Sequence, residues 1–191
     1  MDKPTLLLHS CCAPCSGPVL ERLCANYQVT IYYCNPNIHP KSEYQRRMQE
    51  LAQWCRSHLE IPLVVPDYKP RDWFEEVRGL EDEPEKGERC TKCFRMRLEE
   101  TAHYAATHGF DWFTTTLTIS PHKDSARINI LGRELGERYH VSFLEENFKK
   151  KGGFQRSLEL SREFGFYRQN YCGCLYSLQQ TRSRDKKRAE D

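Results

Sequence analysis

The chain has 191 residues, ten of them cysteine, and its 29 lysines and arginines nearly balance 27 aspartates and glutamates for a formal net charge of +2. That length suits one domain with a real apolar core rather than two independent units. No stretch reaches the roughly 18 consecutive apolar residues of a membrane span and no targeting segment is evident, so the expectation is a cytoplasmic protein with no membrane partner.

In chain order, Thr5 to Leu8 is a short apolar strand, Ser16 to Asn26 carries Val19, Leu20 and Leu23 at helical spacing, and Val29 to Tyr33 is a second strand, β-branched and aromatic. A long helix is predicted from Ser42 to about Leu59, with Tyr44, Met48, Leu51, Trp54 and Cys55 on one face, followed by a third strand from Pro62 to Val65. Gly79 to Arg89 is charged and holds Pro84 and Gly87, so Arg71 to Arg95 reads as a loop leading into a helix over about Thr91 to His108. Trp112 to Leu117 is a fourth strand, a helix follows from about Asp124 to Arg138, and Val141 to Leu144 is a fifth strand. Lys149-Lys150-Lys151-Gly152-Gly153 is a basic turn, Phe154 to Phe164 is helical, and a last short helix follows Cys174.

Alternating strands and helices predict an α/β fold: an open, mostly parallel five-stranded sheet with flanking helices and a helical C-terminal extension. Its ligands lie outside the carboxyl ends of the strands. Residues 1–180 form the single domain, and 181–191, with Arg182, Arg184, Lys186, Lys187 and Arg188, read as a disordered basic tail that also suits a polyanion.

Ten cysteines in a reducing compartment point to metal or redox chemistry before a disulfide framework. Cys11, Cys12 and Cys15 directly follow the first strand, where an open α/β sheet places its ligand beside a helix N-terminus. Cys90 and Cys93 form a CxxC at the head of a helix, a spacing at which two thiolates converge on one metal. Cys172 and Cys174 flank Gly173, whose freedom in φ lets the backbone wrap an inorganic centre. Cys24 and Cys55 fall on apolar faces inside elements and read as core, while Cys34, at the end of the second strand, fits either class. Each group alone also fits a dithiol, a nucleophile with spectators, or a structural zinc site. Together they exceed the four thiolates of a closed zinc site, and the surplus favours an iron–sulfur cluster with another metal, or a cluster with an open iron.

Taken in order, LLLHSCCAPCSG, YYCNPNIHP with EYQRR, RCTKCFRMRLEETA, TTLTISPHKD and KKKGGFQRSLELSREFGFYRQNYCGC resemble the QueH family, the cobalamin-independent epoxyqueuosine reductases, over about Leu6 to Leu178. The resemblance implies a nucleotide α-hydrolase-like fold and reduction of the epoxide of epoxyqueuosine, in the wobble position of a tRNA anticodon, to queuosine. It further implies a [4Fe-4S] cluster and a second, adjacent iron ion. Cys11, Cys12, Cys90, Cys93, Cys172 and Cys174 are the implied cluster and metal ligands, with Cys15 a further metal ligand; some members place Asp there, and both side chains bind iron. Where tRNA-thiolating enzymes of that fold carry a Gly-rich loop for ATP pyrophosphate, this chain has His9-Ser10-Cys11-Cys12-Ala13-Pro14-Cys15, which argues against ATP.

Turning an epoxide into an alkene releases its oxygen as water and takes two electrons and two protons. An iron beside the cluster supplies a Lewis acid and shares the electron transfer, and an external electron donor is expected because no GxGxxG fingerprint is present. The candidate proton donors are His9, Tyr33 and Asp124, together with His39 and His122, all in motif loops after strands; Asp124 equally suits a helix N-cap, and Tyr33 the core. Arg46, Arg47, Lys123, Lys149, Lys150 and Lys151 are candidate tRNA contacts. Tyr32 and Tyr167 are candidate base-stacking groups, with core packing as the alternative. The competing functions are an iron–sulfur-dependent tRNA sulfur transferase and a zinc-stabilised RNA-binding module.

Overall fold

Leu6, Leu7 and Leu8 are all fully buried, the pattern of a central parallel strand covered on both faces. In the computed structural model, which describes residues 3–190 and the side chains as far as Arg184, they lie on β1 (Thr5–His9), with β2 (Gln28–Tyr32) on one side and β4 (Trp112–Thr115) on the other. The short strands β3 (Leu63–Val64) and β5 (Ser142–Phe143) complete a five-stranded, all-parallel sheet of order β3-β2-β1-β4-β5. The order reverses direction between β1 and β4. This is the topological switch point, where an open sheet forms its ligand crevice.

Seven helices accompany the sheet among the described residues: α1 (Ala13–Leu23), α2 (Lys41–His58), α3 (Pro70–Glu76), α4 (Glu88–Thr107), α5 (Ser125–Tyr139), α6 (Gly153–Glu163) and α7 (Leu175–Glu190). Side chains alternate across β1, so Leu6 and Leu8 enter a core with Val19, Leu51, Trp54 and Leu160, from α1, α2 and α6. Leu7 enters the opposite core with Leu98, Ala102, Ile128 and Leu131, from α4 and α5. Among the described residues no helix is long and apolar enough to cross a membrane.

Helix α1 starts at Ala13, earlier than its apolar spacing predicts, because Pro14 occupies the first turn, where a missing N–H costs nothing. Cys12 thereby becomes the N-cap residue and Cys15 a helical one. Pro18, inside the helix, cannot donate to the Pro14 carbonyl, and Ser157 Oγ of α6 donates to it instead at 2.8 Å. Gly17 permits that approach, since a Cβ there would lie 2.8 Å from Leu160 Cδ1. This docking holds α6, and the cysteine-bearing segment after it, against the helix that carries Cys15.

Three further expectations change. The stretch read as loop contains α3, a turn too short to show periodicity, which buries Trp73 completely against Val77, Cys93 and Cys174. The fourth strand ends at Thr115, whose Oγ1 accepts Leu117 N at 3.1 Å and starts a 3₁₀ turn over Thr116–Ile119. Residues 181–190 of the tail expected to be disordered are the second half of α7, because no glycine or proline follows Gly173 and these residues are largely good helix formers. The side chains of Lys186, Lys187 and Arg188 lie outside the described residues.

Candidate metal centre

Chain order puts Cys11 and Cys12 at the carboxyl end of β1, and the first turn of α1 returns Cys15 to them. Their ligand atoms all lie within 4.8 Å of one another, with Cys11 Sγ and Cys12 Sγ 3.8 Å apart. Thiolates placed tetrahedrally at about 2.3 Å from one ion stand about 3.8 Å from each other, so this spacing suits a single metal. Hydrogen bonds from the Cys12 and Cys15 thiols hold the Cys11 thiol well below its ordinary pKa. Sharing that bond pushes Cys12 up to about 12 and Cys15 well up. Among the three sulfurs, negative charge is thus favoured on Cys11.

A second group forms where the CxxC meets the segment before α7. Cys90, Cys93, Cys172 and Cys174 line a cavity of about 430 Å³, and Cys15 lines it too, with Cys11 and Cys12 behind. Cys172 Sγ and Cys174 Sγ are 3.7 Å apart. The hydrogen bond from Cys174 lowers Cys172 to about 5, and burial works against that shift. Backbone amides face this group as well: Lys86 N donates to Cys90 Sγ and Ser177 N to Cys174 Sγ, each at 3.3 Å. Gly173 between the two cysteines has φ +120, a conformation closed to other residues, and a Cβ there would meet Ile38 Cγ1 at 2.9 Å.

Between the groups runs a buried polar network. Arg97, on α4 one turn beyond Cys93, is 3% exposed; its Nη2 donates to Asn35 Oδ1 at 2.6 Å. Asn35 Nδ2 donates to the Ser10 carbonyl at 2.8 Å. His9 fills the space below, with Nδ1 2.9 Å from Thr115 Oγ1 and Nε2 3.1 Å from the Cys34 carbonyl and 3.3 Å from Arg97 Nε. Nε2 holds either a proton or a lone pair, so only one of its two contacts is a hydrogen bond in a given tautomer. Burial, with the Arg97 charge beside it, lowers the ring to about 3, so His9 is neutral.

The family model described as epoxyqueuosine reductase QueH matches residues 6–180 of the chain. The chain belongs to the QueH family. The epoxyqueuosine reductase QueH of Haemophilus influenzae is 49% identical over 175 residues, covering 91% of this chain and 71% of that protein. The QueH of Thermotoga maritima is 37% identical over 183 residues, covering 94% and 93%. Among solved structures, the chain is similar to a predicted subunit of tRNA methyltransferase from Methanocaldococcus jannaschii. The TM-score is 0.51 at 14% identity, over 83% of this chain and 76% of that one, a likeness of fold alone.

Against this QueH frame the other sequence-predicted site residues separate. Tyr33 is completely buried and its hydroxyl donates to the Tyr44 carbonyl at 3.0 Å, so its proton points into the core, where strand alternation puts it with Ile31. Asp124 lines the cavity and also caps α5, its Oδ1 accepting Ala126 N at 3.0 Å and Arg127 N at 3.2 Å. His122 lines the cavity, whereas His39 packs against Trp73 and Phe74 with tilted rings. Arg47 is no surface contact for RNA: it is fully buried, ion-paired to Glu43 at 2.7 Å, and its Nη1 donates to the Cys172 carbonyl at 3.4 Å. Tyr32 is 2% exposed and stacks on Tyr104, so it too is core. Arg46 covers the Tyr167 ring at 3.4 Å, and the carbonyls of Lys150 and Lys151 accept from Arg22.

Cys34 and Cys55 are buried among apolar side chains, which pushes both thiols up to about 12; Cys24 packs against the same core as Cys55. What the sequence reading missed in the QueH site is Arg97, Arg89 and Asn35. Helical spacing carries a signal for Arg97, since positions 90, 93 and 97 share one face of α4.

Proposed function

We propose that this chain reduces the epoxide of epoxyqueuosine in the wobble position of a tRNA anticodon, giving the alkene of queuosine, on a metal centre built from its clustered cysteines. The observation that carries the reading is the convergence, in a QueH-family chain, of cysteines from three distant segments on one cavity at the sheet's switch point.

The donor set is entirely thiolate, which suits soft iron–sulfur chemistry. Cys90, Cys93, Cys172 and Cys174 would hold the [4Fe-4S] cluster, and Cys11, Cys12 and Cys15, at single-ion spacing, the second iron ion. When bound, the pair supplies Lewis acidity toward the epoxide oxygen and two electrons drawn from an external donor.

The chain's own residues do the rest. The cavity of about 430 Å³, which must also hold the cluster its cysteines would ligate, admits at most one unpaired nucleoside and no paired stem. Buried Arg89 and Arg97 set positive charge in its walls, which offsets the charge of the thiolates from within the protein. Asp124, on the same wall, is the proton relay in this reading. His9 stays neutral and fixes the β1 loop through its contact with Thr115.

Anaerobic purification, iron and sulfide analysis and conversion of epoxyqueuosine-bearing tRNA under a chemical reductant test the proposal. Iron in excess of sulfide, with ATP-independent conversion, is expected. Zinc without sulfide, or a fully loaded protein that converts nothing, sinks it.

A further inference from the structure

Positive and negative residues nearly balance over the whole sequence, 29 against 27, yet seven lysines and arginines line the cavity against two carboxylates, Glu85 and Asp124. The cations divide by depth. Arg89 and Arg97 are 1% and 3% exposed and lie with the thiolates, whereas Lys86, Lys123, Arg127, Arg168 and Arg184 reach water. Lys149 joins them from the segment between β5 and α6, its Nζ donating to the Lys123 carbonyl at 2.9 Å. Partial burial first, and then the charges of Lys86, Lys123 and Lys150, hold the Lys149 ammonium below its ordinary pKa, against the pull of Asp124.

Like charges brought together need either counterions or a scaffold that holds them. Among the described residues, Lys86, Lys123 and Lys149 form no salt bridge, and Arg127 has only a 3.9 Å contact with Asp124. The scaffold is visible. Arg127 Nη1 donates to the Lys86 carbonyl and to Thr91 Oγ1, both at 2.8 Å, and Lys86 sits at φ +74, a left-handed conformation that a lysine adopts only at a cost. A strained backbone therefore holds an unpaired cation beside the cysteine cavity.

We propose that Lys86, Lys123, Arg127 and Lys149 form a phosphate-binding wall for the RNA strand on either side of the nucleotide that enters the cavity. The inference rests on the tRNA reading above and names the surface that would hold that RNA. A cavity that admits at most one unpaired nucleoside leaves the adjoining phosphates to pass over its mouth, and a cationic mouth focuses the field toward them. Such contacts position the strand without reading its bases.

The test is binding of an anticodon stem-loop RNA with plain guanosine at the wobble position, followed by fluorescence anisotropy across a salt series on the metal-loaded protein. Lys86→Gly, which keeps the left-handed backbone, and Lys123→Gln and Lys149→Gln should each weaken binding several-fold. Each should also flatten the slope of log affinity against log salt by about 0.7 for every single-strand phosphate that the protein no longer neutralises. The same weakening is expected with epoxyqueuosine-bearing RNA. Lys92→Gln, at an exposed lysine paired with Glu76 and outside the cavity lining, should change neither quantity. Unchanged slopes in folded variants, or an equal drop in Lys92→Gln, overturn the wall. Plain RNA needs no turnover, so a failure of the reductase reading shows in conversion and metal content and not in these slopes.

Discussion

Arg97 Nη2 donates to Asn35 Oδ1 at 2.6 Å, and this bond ties the helix bearing Cys90 and Cys93 to the loop after β2, which in turn holds the loop bearing Cys11 and Cys12. Asn35 completes the tie through the Ser10 carbonyl, and both residues are nearly inaccessible to water. Asn35→Ala leaves a buried guanidinium short of an acceptor, with an expected loss of about 1.5–3 kcal/mol, as for hydrogen bonds to charged groups. Denaturant unfolding measures it; a change within about 0.5 kcal/mol, the scale of an ordinary surface substitution, contradicts the assignment.

The cysteine groups should separate by metal content. Cys90→Ser and Cys93→Ser are expected to lose sulfide, cluster absorbance and turnover together, whereas Cys15→Ser should lose iron while retaining sulfide, with turnover abolished. Cys24→Ala, Cys34→Ala and Cys55→Ala should keep full iron and sulfide and cost ~1 kcal/mol each. Iron and sulfide analysis of the six variants decides the partition, and a Cys15→Ser protein that loses all sulfide would merge the two groups.

Gly173→Ala should damage the centre more than the fold. Its φ of +120 and the 2.9 Å approach to Ile38 Cγ1 leave no room for a methyl group, so the Cys172–Cys174 spacing must open. A reduced iron and sulfide yield, with helix content unchanged by circular dichroism, is the expected result. Normal loading would show that the segment adapts.

Asp124→Asn separates capping from proton transfer. Asparagine caps a helix about as well as aspartate, so the stability should hold within about 0.5 kcal/mol. Turnover should fall if the carboxylate relays a proton, and steady-state rates at saturating tRNA report it. Full turnover leaves Asp124 as a cap alone.

Asp111 offers a test of pH dependence away from the metal. It accepts Thr5 N and Thr5 Oγ1, each at 2.8 Å, and these bonds hold its carboxyl below the ordinary range. A depressed carboxyl contributes stability above its unfolded pKa and loses it as pH falls through the folded one. Asp111→Asn should therefore lower the melting temperature near neutral pH and converge with the parent in acid. A pH-independent difference contradicts this account.

The strands and long helices were legible in the sequence because apolar periodicity is local: β1, β2, α2, α4 and α5 lie within a few residues of where their spacing puts them. The cysteine candidates were legible because metal ligation needs particular side chains in loops and helix heads, whatever the fold. Alternation along the second strand also held the evidence that Tyr32 and Tyr33 face opposite cores. The reversal of strand order between β1 and β4 was not legible, nor was the approach of Cys172 and Cys174 to a cavity shared with Cys15. Arg97 meeting Asn35 across 62 positions belongs with them. Those relations depend on which elements lie side by side. Hydrophobic spacing says which face of an element is buried, but the partner of a buried charge is chosen only when the chain closes into its sheet.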